Sequence, residues 1–458
     1  MAAIRLKISV SGIRGVVGET LSPRLLCRFA QAFGSYVGPG RVLVGRDTRP
    51  SGPMVAHAVL GGLMSTGCEP IDAGICPIPA LQYRCAMRRD VCGAIAITAS
   101  HNPVEWNALK LLSADGLFLS HSEANELLDI YHEQNFARVT GEAVPQPGYD
   151  EGSIDAHLEA VLEEVDVELI RRAKLRVAVD CVNGAGAEVT PKLLSRLGCK
   201  VIRLACQPSG LFPRPPEPLP ENLDALCERA RDGDVDVGFA QDADADRLAV
   251  VDENGRALDG DVMLAILVEL VLRREPGPVV VNLSTSHLID HIAGRYGVPV
   301  IRTPVGEANV VEAIEATRAV VGGEGSGGLI YPRIHACRDS FIGMALLLEH
   351  LARRGRTVAQ LADALPARVM SKERLPIPPA LARKVLRELR RQLTDGQLDL
   401  RDGIKASFRE GWVHIRMSNT EPVMRVIVEA ASSVEADALR LRVVDIVRQC
   451  TGQANPAG

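Results

Sequence analysis

A strand, a polar turn, a helix, a glycine and a second strand follow one another three times in this chain, with starts over a hundred residues apart. The first copy runs through Val42-Leu43-Val44-Gly45-Arg46-Asp47, a turn from Thr48 to Pro53, an apolar helix from Met54 to Ser65, Gly67 and Pro70-Ile71-Asp72-Ala73. In the second, the strand Leu175 to Asp180 leads to the turn Asn183-Gly184-Ala185-Gly186, a helix from Val189 to Leu197, Gly198 and the strand Lys200 to Leu204. The third has Val279 to Asn282, Leu283 to Ser286, His287 to Tyr296, Gly297, and Pro299 to Arg302. Each reads as a βαβ unit with a right-handed crossover. The pattern predicts an α/β protein with three similar mixed α/β domains, which suits a chain of 458 residues.

The remainder differs. After Pro366 to Pro379, read as a separator, come a charged helix (Ala380 to Leu393), strands at Ile404 to Phe408, Trp412 to Met417 and Val423 to Glu429, and a helix from Ser433 to Cys450. This predicts a C-terminal α+β domain. Gly141 to Gly152 reads as a linker, Asp252-Glu253-Asn254-Gly255 as a hairpin-like turn, and Pro208 to Pro220, with six prolines, as irregular. The expected domains are 1–148, 149–253, 254–367 and 368–458.

Composition excludes some partners. Net charge is −5, with acids and bases mixed and no long basic tract, so no nucleic acid is expected. The longest apolar run, Val262 to Leu272, is about half a membrane span and contains Glu269. It reads as a buried helix, and no membrane partner is expected. The first seven residues lack a signal-peptide core, and the eleven cysteines form no CxxC pair or zinc spacing. Reduced thiols in a cytoplasmic protein are expected.

Five stretches carry chemistry. Thr98-Ala99-Ser100-His101-Asn102-Pro103 follows the apolar strand Gly93 to Ile97. It reads as a turn, or as the nucleophile Ser100 with His101 and Lys110 as helpers. Asp242, Asp244 and Asp246 alternate with small residues after the run Val235 to Ala240. In an extended segment they share one side, and hard oxygen ligands in such a set suit Mg²⁺. Gly322 to Gly328 reads as a Gly-rich turn from which Glu324 and Ser326 project and could meet sugar hydroxyls. Arg416, Ser418, Asn419, Thr420 and Arg425 frame a segment suited to phosphate, with a plain hairpin as the other reading. Ser11-Gly12-Ile13-Arg14-Gly15 offers a guanidinium fork. There is no GxxxxGK[ST], and no GxGxxG follows a strand, which argues against nucleoside triphosphates and dinucleotides.

In this order and spacing the five stretches resemble the α-D-phosphohexomutase superfamily over nearly the whole chain. The resemblance implies four domains around a central cleft. Ser100 would be the phosphoryl carrier, with His101 and Arg14 close by and Lys110 in acid/base proton transfer. Asp242, Asp244, Asp246 and the phosphorylated Ser100 would hold Mg²⁺, with Arg247 beside them. Glu324 and Ser326 would hold the sugar, and Arg416, Ser418, Asn419, Thr420 and Arg425 the non-transferring phosphate. The implied reaction interconverts hexose 6-phosphate and hexose 1-phosphate, with a hexose 1,6-bisphosphate as intermediate and activator, in a monomer or homodimer. Three positions depart from the family pattern: Ala108, Glu307, and Gly328 where many members have His. Trp106 to Lys110 together with Gly323 to Gly328 are most similar to bacterial phosphoglucosamine mutases, and Glu307 would suit a cationic 2-amino group. Phosphomannomutase/phosphoglucomutase is the alternative, and a non-catalytic sugar-phosphate-binding protein a remote one.

Overall fold

The computed structural model of the protein describes residues 6–9, 12–417 and 423–451. Its strands form four sheets. The first contains β1 (Lys7–Ser9), β2 (Gly12–Val16), β3 (Arg41–Arg46), β4 (Glu69–Ile75), β5 (Val91–Ile97), β6 (Trp106–Leu112) and β7 (Gly148–Tyr149), in the order β1-β2-β6-β5-β3-β4-β7. Strands β5, β3, β4 and β7 run parallel, and β6, β2 and β1 add antiparallel pairs. The expected linker therefore contributes a strand: Gly148 and Tyr149 pair with Ile71 and Asp72. Two residues are too few to show an alternating pattern in sequence.

The second sheet, β8 (Arg176–Asp180), β9 (Lys200–Leu204), β10 (Val237–Gln241) and β11 (Leu248–Val251), has the order β11-β10-β8-β9. The third, β12 (Val279–Asn282), β13 (Val300–Thr303), β14 (Val321–Glu324), β15 (Gly328–Tyr331) and β16 (His335–Arg338), runs β13-β12-β14-β15-β16. Each of the three repeated units forms parallel neighbours, β3/β4, β8/β9 and β12/β13, joined through a helix. One apolar core runs continuously beneath the second and third sheets, from Val177 and Phe239 to Val281 and Phe341. The apolar run from Val262 lies in the helix Gly260–Arg274, buried in that core. No helix among the described residues is long and apolar enough to cross a membrane.

The fourth sheet is antiparallel, β17 (Val369–Pro376), β18 (Gln397–Asp399), β19 (Ile404–Ser407), β20 (Gly411–Met417) and β21 (Val423–Ala430), in the order β17-β21-β20-β19-β18. Helices Pro379–Gln392 and Ser433–Thr451 cover its apolar face. The expected separator thus contains an edge strand. Lys372, Glu373 and Arg374 hide it in the sequence, and such charges are what an exposed edge tolerates.

Strand ends place the chemistry. Asp47 follows β3, Ser100 follows β5, Asp242 follows β10, and Glu324 and Arg338 end β14 and β16. In sheets of this kind, ligand sites gather at carboxyl ends of strands.

Candidate active site

Ser100 is 3% exposed and held at φ 49°, a left-handed conformation that non-glycine residues rarely adopt. Thr98 Oγ1 accepts a 2.9 Å bond from Ser100 N and donates to Asp47 Oδ2 at 2.7 Å. Arg49, with no exposed surface, pairs with Asp47 Oδ2 at 2.9 Å and donates to four carbonyls of the loop. These are Ser100 O and Asn102 O at 2.7 Å, Pro103 O at 2.5 Å and Trp106 O at 3.1 Å. The turn is therefore built around a buried guanidinium, which supports its strained backbone. Arg49→Met should lower stability by about 3–5 kcal/mol, since it leaves Asp47 buried without its partner. Arg49→Lys should be nearly as damaging, because an ammonium cannot fork onto four carbonyls. Urea unfolding midpoints read this directly.

Ser100 Oγ donates to Asp242 Oδ2 at 2.7 Å and lies 3.3 Å from His101 Nδ1. Burial, followed by Arg247 and Arg14, pushes the His101 imidazole down to about 2, so the ring is neutral at any working pH. Arg14 Nη1 donates to Asn102 Oδ1 at 2.7 Å, placing a guanidinium on the same loop.

The three aspartates come together by a different route from the one expected. Residues 242–247 form a tight turn between β10 and β11, with Ala245 at φ 59°, and not an extended segment. The turn still brings one carboxylate oxygen of each within 4.8 Å of the others. Strand β10 ends at Gln241, whose side chain donates to Ser340 Oγ; Ser340 in turn donates to Ala245 O, so the turn is closed from outside. Ile78 N donates to Asp244 O at 3.0 Å, which fixes the turn against the first sheet's domain.

All three carboxylates are at most 1% exposed. Lys110 Nζ meets Asp244 Oδ2 at 2.8 Å and Asp246 Oδ2 at 3.9 Å. Arg338 Nη2 donates to Asp246 Oδ2 at 2.7 Å. Burial, and then the charges of Asp244 and Asp246, push Asp242 well above the usual carboxylate range. For Asp244, burial acts upward but the Lys110 ammonium outweighs it and holds the carboxyl low. Asp244 Oδ1 and Asp246 Oδ1 are buried and find no hydrogen-bond donor among the described residues. Acceptor-only carboxylate oxygens gathered this closely, two of them without a donor, fit a hard divalent cation such as Mg²⁺.

Arg247 lies beside this set. Its backbone N–H donates to Asp242 Oδ1 at 3.3 Å and its Nη1 to Glu217 Oε1 at 2.8 Å. Glu217 belongs to the proline-rich loop, which is irregular as expected but firmly held. Arg214 in that loop donates to Asp180 and Gln241 O, and Phe212 packs 5.0 Å from the Arg49 guanidinium.

Glu324 does not project from a flexible turn. It ends β14, is 7% exposed, and accepts from Asn282 Nδ2 at 2.8 Å and Gly306 N at 3.2 Å. The strand continues further than its glycines suggest because β14 and β15 pair through them as a hairpin. Ser326, at the hairpin tip, is exposed. Arg416 and Arg425 are cross-strand partners, and Arg416 Nε donates to Asp402 Oδ2 at 3.0 Å rather than to the Ser100 cluster. Ser418, Asn419 and Thr420 lie outside the described residues.

The structure thus assembles Ser100, His101, Lys110, Arg14, Arg247 and the three aspartates. It adds Asp47, Arg49 and Arg338, which were not singled out from sequence. The available signal was position alone, since all three are polar residues at or just beyond strand ends.

Comparisons with known proteins agree along the chain. Residues 5–138, 155–255 and 259–369 match Phosphoglucomutase/phosphomannomutase, alpha/beta/alpha domains I, II and III, and residues 354–446 match the C-terminal domain of the same family. A probable phosphoglucosamine mutase from Methanopyrus kandleri is 39% identical, covering 96% of this chain and 97% of the relative. A phosphoglucomutase/phosphomannomutase from Thermococcus kodakarensis is 38% identical over 93% of this chain and 94% of its own length. A phosphoglucomutase/phosphomannomutase family protein from Burkholderia thailandensis superposes with a TM-score of 0.87 at 27% identity, over 98% of this chain and 99% of the other. The chain belongs to the phosphoglucomutase/phosphomannomutase family of phosphohexomutases, isomerases that move a phosphoryl group within a sugar phosphate.

Proposed function

We propose that this phosphohexomutase interconverts glucosamine 6-phosphate and glucosamine 1-phosphate in the cytoplasm, with Ser100 as phosphoryl carrier. The observation that carries the reading is Ser100 Oγ, 2.7 Å from Asp242 Oδ2 in a buried, cation-ready cluster with Lys110.

A sugar hydroxyl attacks phosphorus on phosphorylated Ser100. The bond from phosphorus to Ser100 Oγ breaks as the new bond to sugar oxygen forms, and the hydroxyl proton passes to Lys110, which enters this step as the free amine rather than as the ammonium paired with Asp244. The resulting 1,6-bisphosphate turns within the site, and its other phosphoryl group returns to Ser100 by the reverse step. A divalent cation held by Asp242, Asp244 and Asp246 would offset charge on the transferring group. Arg14 and Arg247 add fixed positive charge near the same point. Neutral His101 can hydrogen-bond the carrier without competing for its proton. Glu324 and Ser326 would take sugar hydroxyls. Arg416, Arg425 and the segment Ser418 to Thr420 would hold the phosphate that stays in place. Burial of Ser100 itself limits access of water, which would otherwise discharge the phosphoenzyme.

The preference for an amino sugar rests on charge. Asp246, Glu307 and Glu324 surround one guanidinium, Arg338, which leaves negative charge in excess where the sugar loop begins. Relatives named as probable phosphoglucosamine mutases support it. The Thermococcus relative named phosphoglucomutase/phosphomannomutase supports glucose and mannose phosphates as the second reading. Turnover measured side by side on glucosamine, glucose and mannose 6-phosphates decides between them. The expected order places glucosamine first, and Glu307→Gln should cut its advantage over glucose in kcat/KM by about tenfold. Equal turnover of all three sugars by the wild type would overturn the amino-sugar preference.

A further inference from the structure

We propose that Arg338 is a positioning residue of this site, running over Gly328 to tie the cation-binding turn to the sugar-loop carboxylate Glu324. The proposal rests on the cation and sugar assignments above.

The geometry is a straight lane across three strands. Arg338 on β16 is paired with Ile330 on β15, and Gly328, two residues along β15, is paired with Glu324 on β14. Residues two apart share a face of a sheet, so Arg338, Gly328 and Glu324 line up diagonally. A Cβ on Gly328 would lie 2.3 Å from Arg338 Cδ and 2.9 Å from Cγ. No positive φ requires glycine at 328, so the need there is for space. The arginine stem occupies the volume that any side chain at this position would take, and this accounts for the glycine where many members of the family carry histidine.

The guanidinium ends among carboxylates from three separate segments. Nη2 donates to Asp246 Oδ2 at 2.7 Å, Nε lies 2.9 Å from Glu307 Oε2, and Nη1 lies 3.7 Å from Glu324 Oε2. Glu307 also accepts from the Arg338 backbone N–H at 3.2 Å. Arg338 is 9% exposed, so these contacts are little screened by solvent. One side chain therefore hydrogen-bonds a cation-site carboxylate and lies in ion-pair range of Oε2 of a sugar-site carboxylate whose Oε1 is held by Asn282 and Gly306, while its charge opposes the cation.

This predicts effects of opposite sign. Loss of the charge in Arg338→Gln should tighten Mg²⁺ binding several-fold, since a like charge leaves the cation site. Loss of the ion-pair partner on Glu324 Oε2 should raise KM for the sugar phosphate roughly tenfold, a size typical of groups in one ion-pair network. Arg338→Lys keeps the charge but loses the fork, so Mg²⁺ affinity should stay near wild type while KM still rises. Gly328→Ala should raise KM by displacing Arg338, and should add nothing in an Arg338→Ala background.

Mg²⁺ titration by calorimetry, sugar-phosphate binding and steady-state kinetics on these variants test the proposal. Tighter Mg²⁺ with weaker sugar binding supports it. Mg²⁺ and sugar affinities that are both unchanged, or that fall together with thermal stability, would overturn it, as would additive effects of Gly328→Ala and Arg338→Ala. The Mg²⁺ titration requires no turnover, so a wild type inactive on every hexose phosphate would sink the functional reading and leave the charge test of Arg338 standing.

Discussion

Ser100→Ala is expected to reduce mutase turnover by about 10⁴-fold or more, since the carrier oxygen has no substitute. The fold should survive. The lost hydroxyl makes one bond to a carboxylate, Asp242, at a cost of about 1.5–3 kcal/mol, while the turn keeps Thr98 and the four carbonyl bonds from Arg49. Activity assays paired with thermal melts separate the two effects. A folded Ser100→Ala variant with full activity would exclude a phosphoserine mechanism.

Asp244→Asn should abolish Mg²⁺ binding and lower kcat by at least about 10³-fold. Asp244 is 1% exposed and is the nearest carboxylate to Lys110, at 2.8 Å against 3.9 Å for Asp246. The substitution therefore weakens the cation site and leaves a buried ammonium short of its partner, at about 3–5 kcal/mol of stability. Excess Mg²⁺ should not restore turnover. If Mg²⁺ dependence stays at the wild-type level in a folded Asp244→Asn protein, the aspartate turn is not the cation site.

Legibility in the sequence followed the range of the interactions. The strand Lys200 to Leu204 and the strand Val279 to Asn282 have the limits expected, because apolar runs bounded by glycine and polar turns are local signals. The aspartates were legible as a charge cluster, but the reason given by alternation was wrong. A left-handed Ala245 and a clamp from Ser340 gather them, and neither leaves a periodic trace. Arg49 and Arg338 carry no local pattern at all. The loop carbonyls that Arg49 holds and the aspartate that Arg338 holds lie about fifty and ninety residues away, and a lone arginine at a strand end looks like any solvated terminus. The edge strand β17 was hidden for the related reason that its exposed face bears charges. Three α/β parts were thus readable from the repeats and the fourth from its different pattern, whereas the scaffold of the site required contacts between parts.

The most direct measurement follows the phosphoryl group itself. Protein labelled with radioactive phosphate is mapped to the modified residue, then mixed with unlabelled glucosamine 6-phosphate in a single turnover. Label should sit on Ser100, leave it on mixing, and appear in the bisphosphate and then in the sugar monophosphate, with Ser100 phosphorylated again at the end. Label on another residue, or label released only as inorganic phosphate, would contradict the assignment of Ser100 as a carrier that returns what it gives.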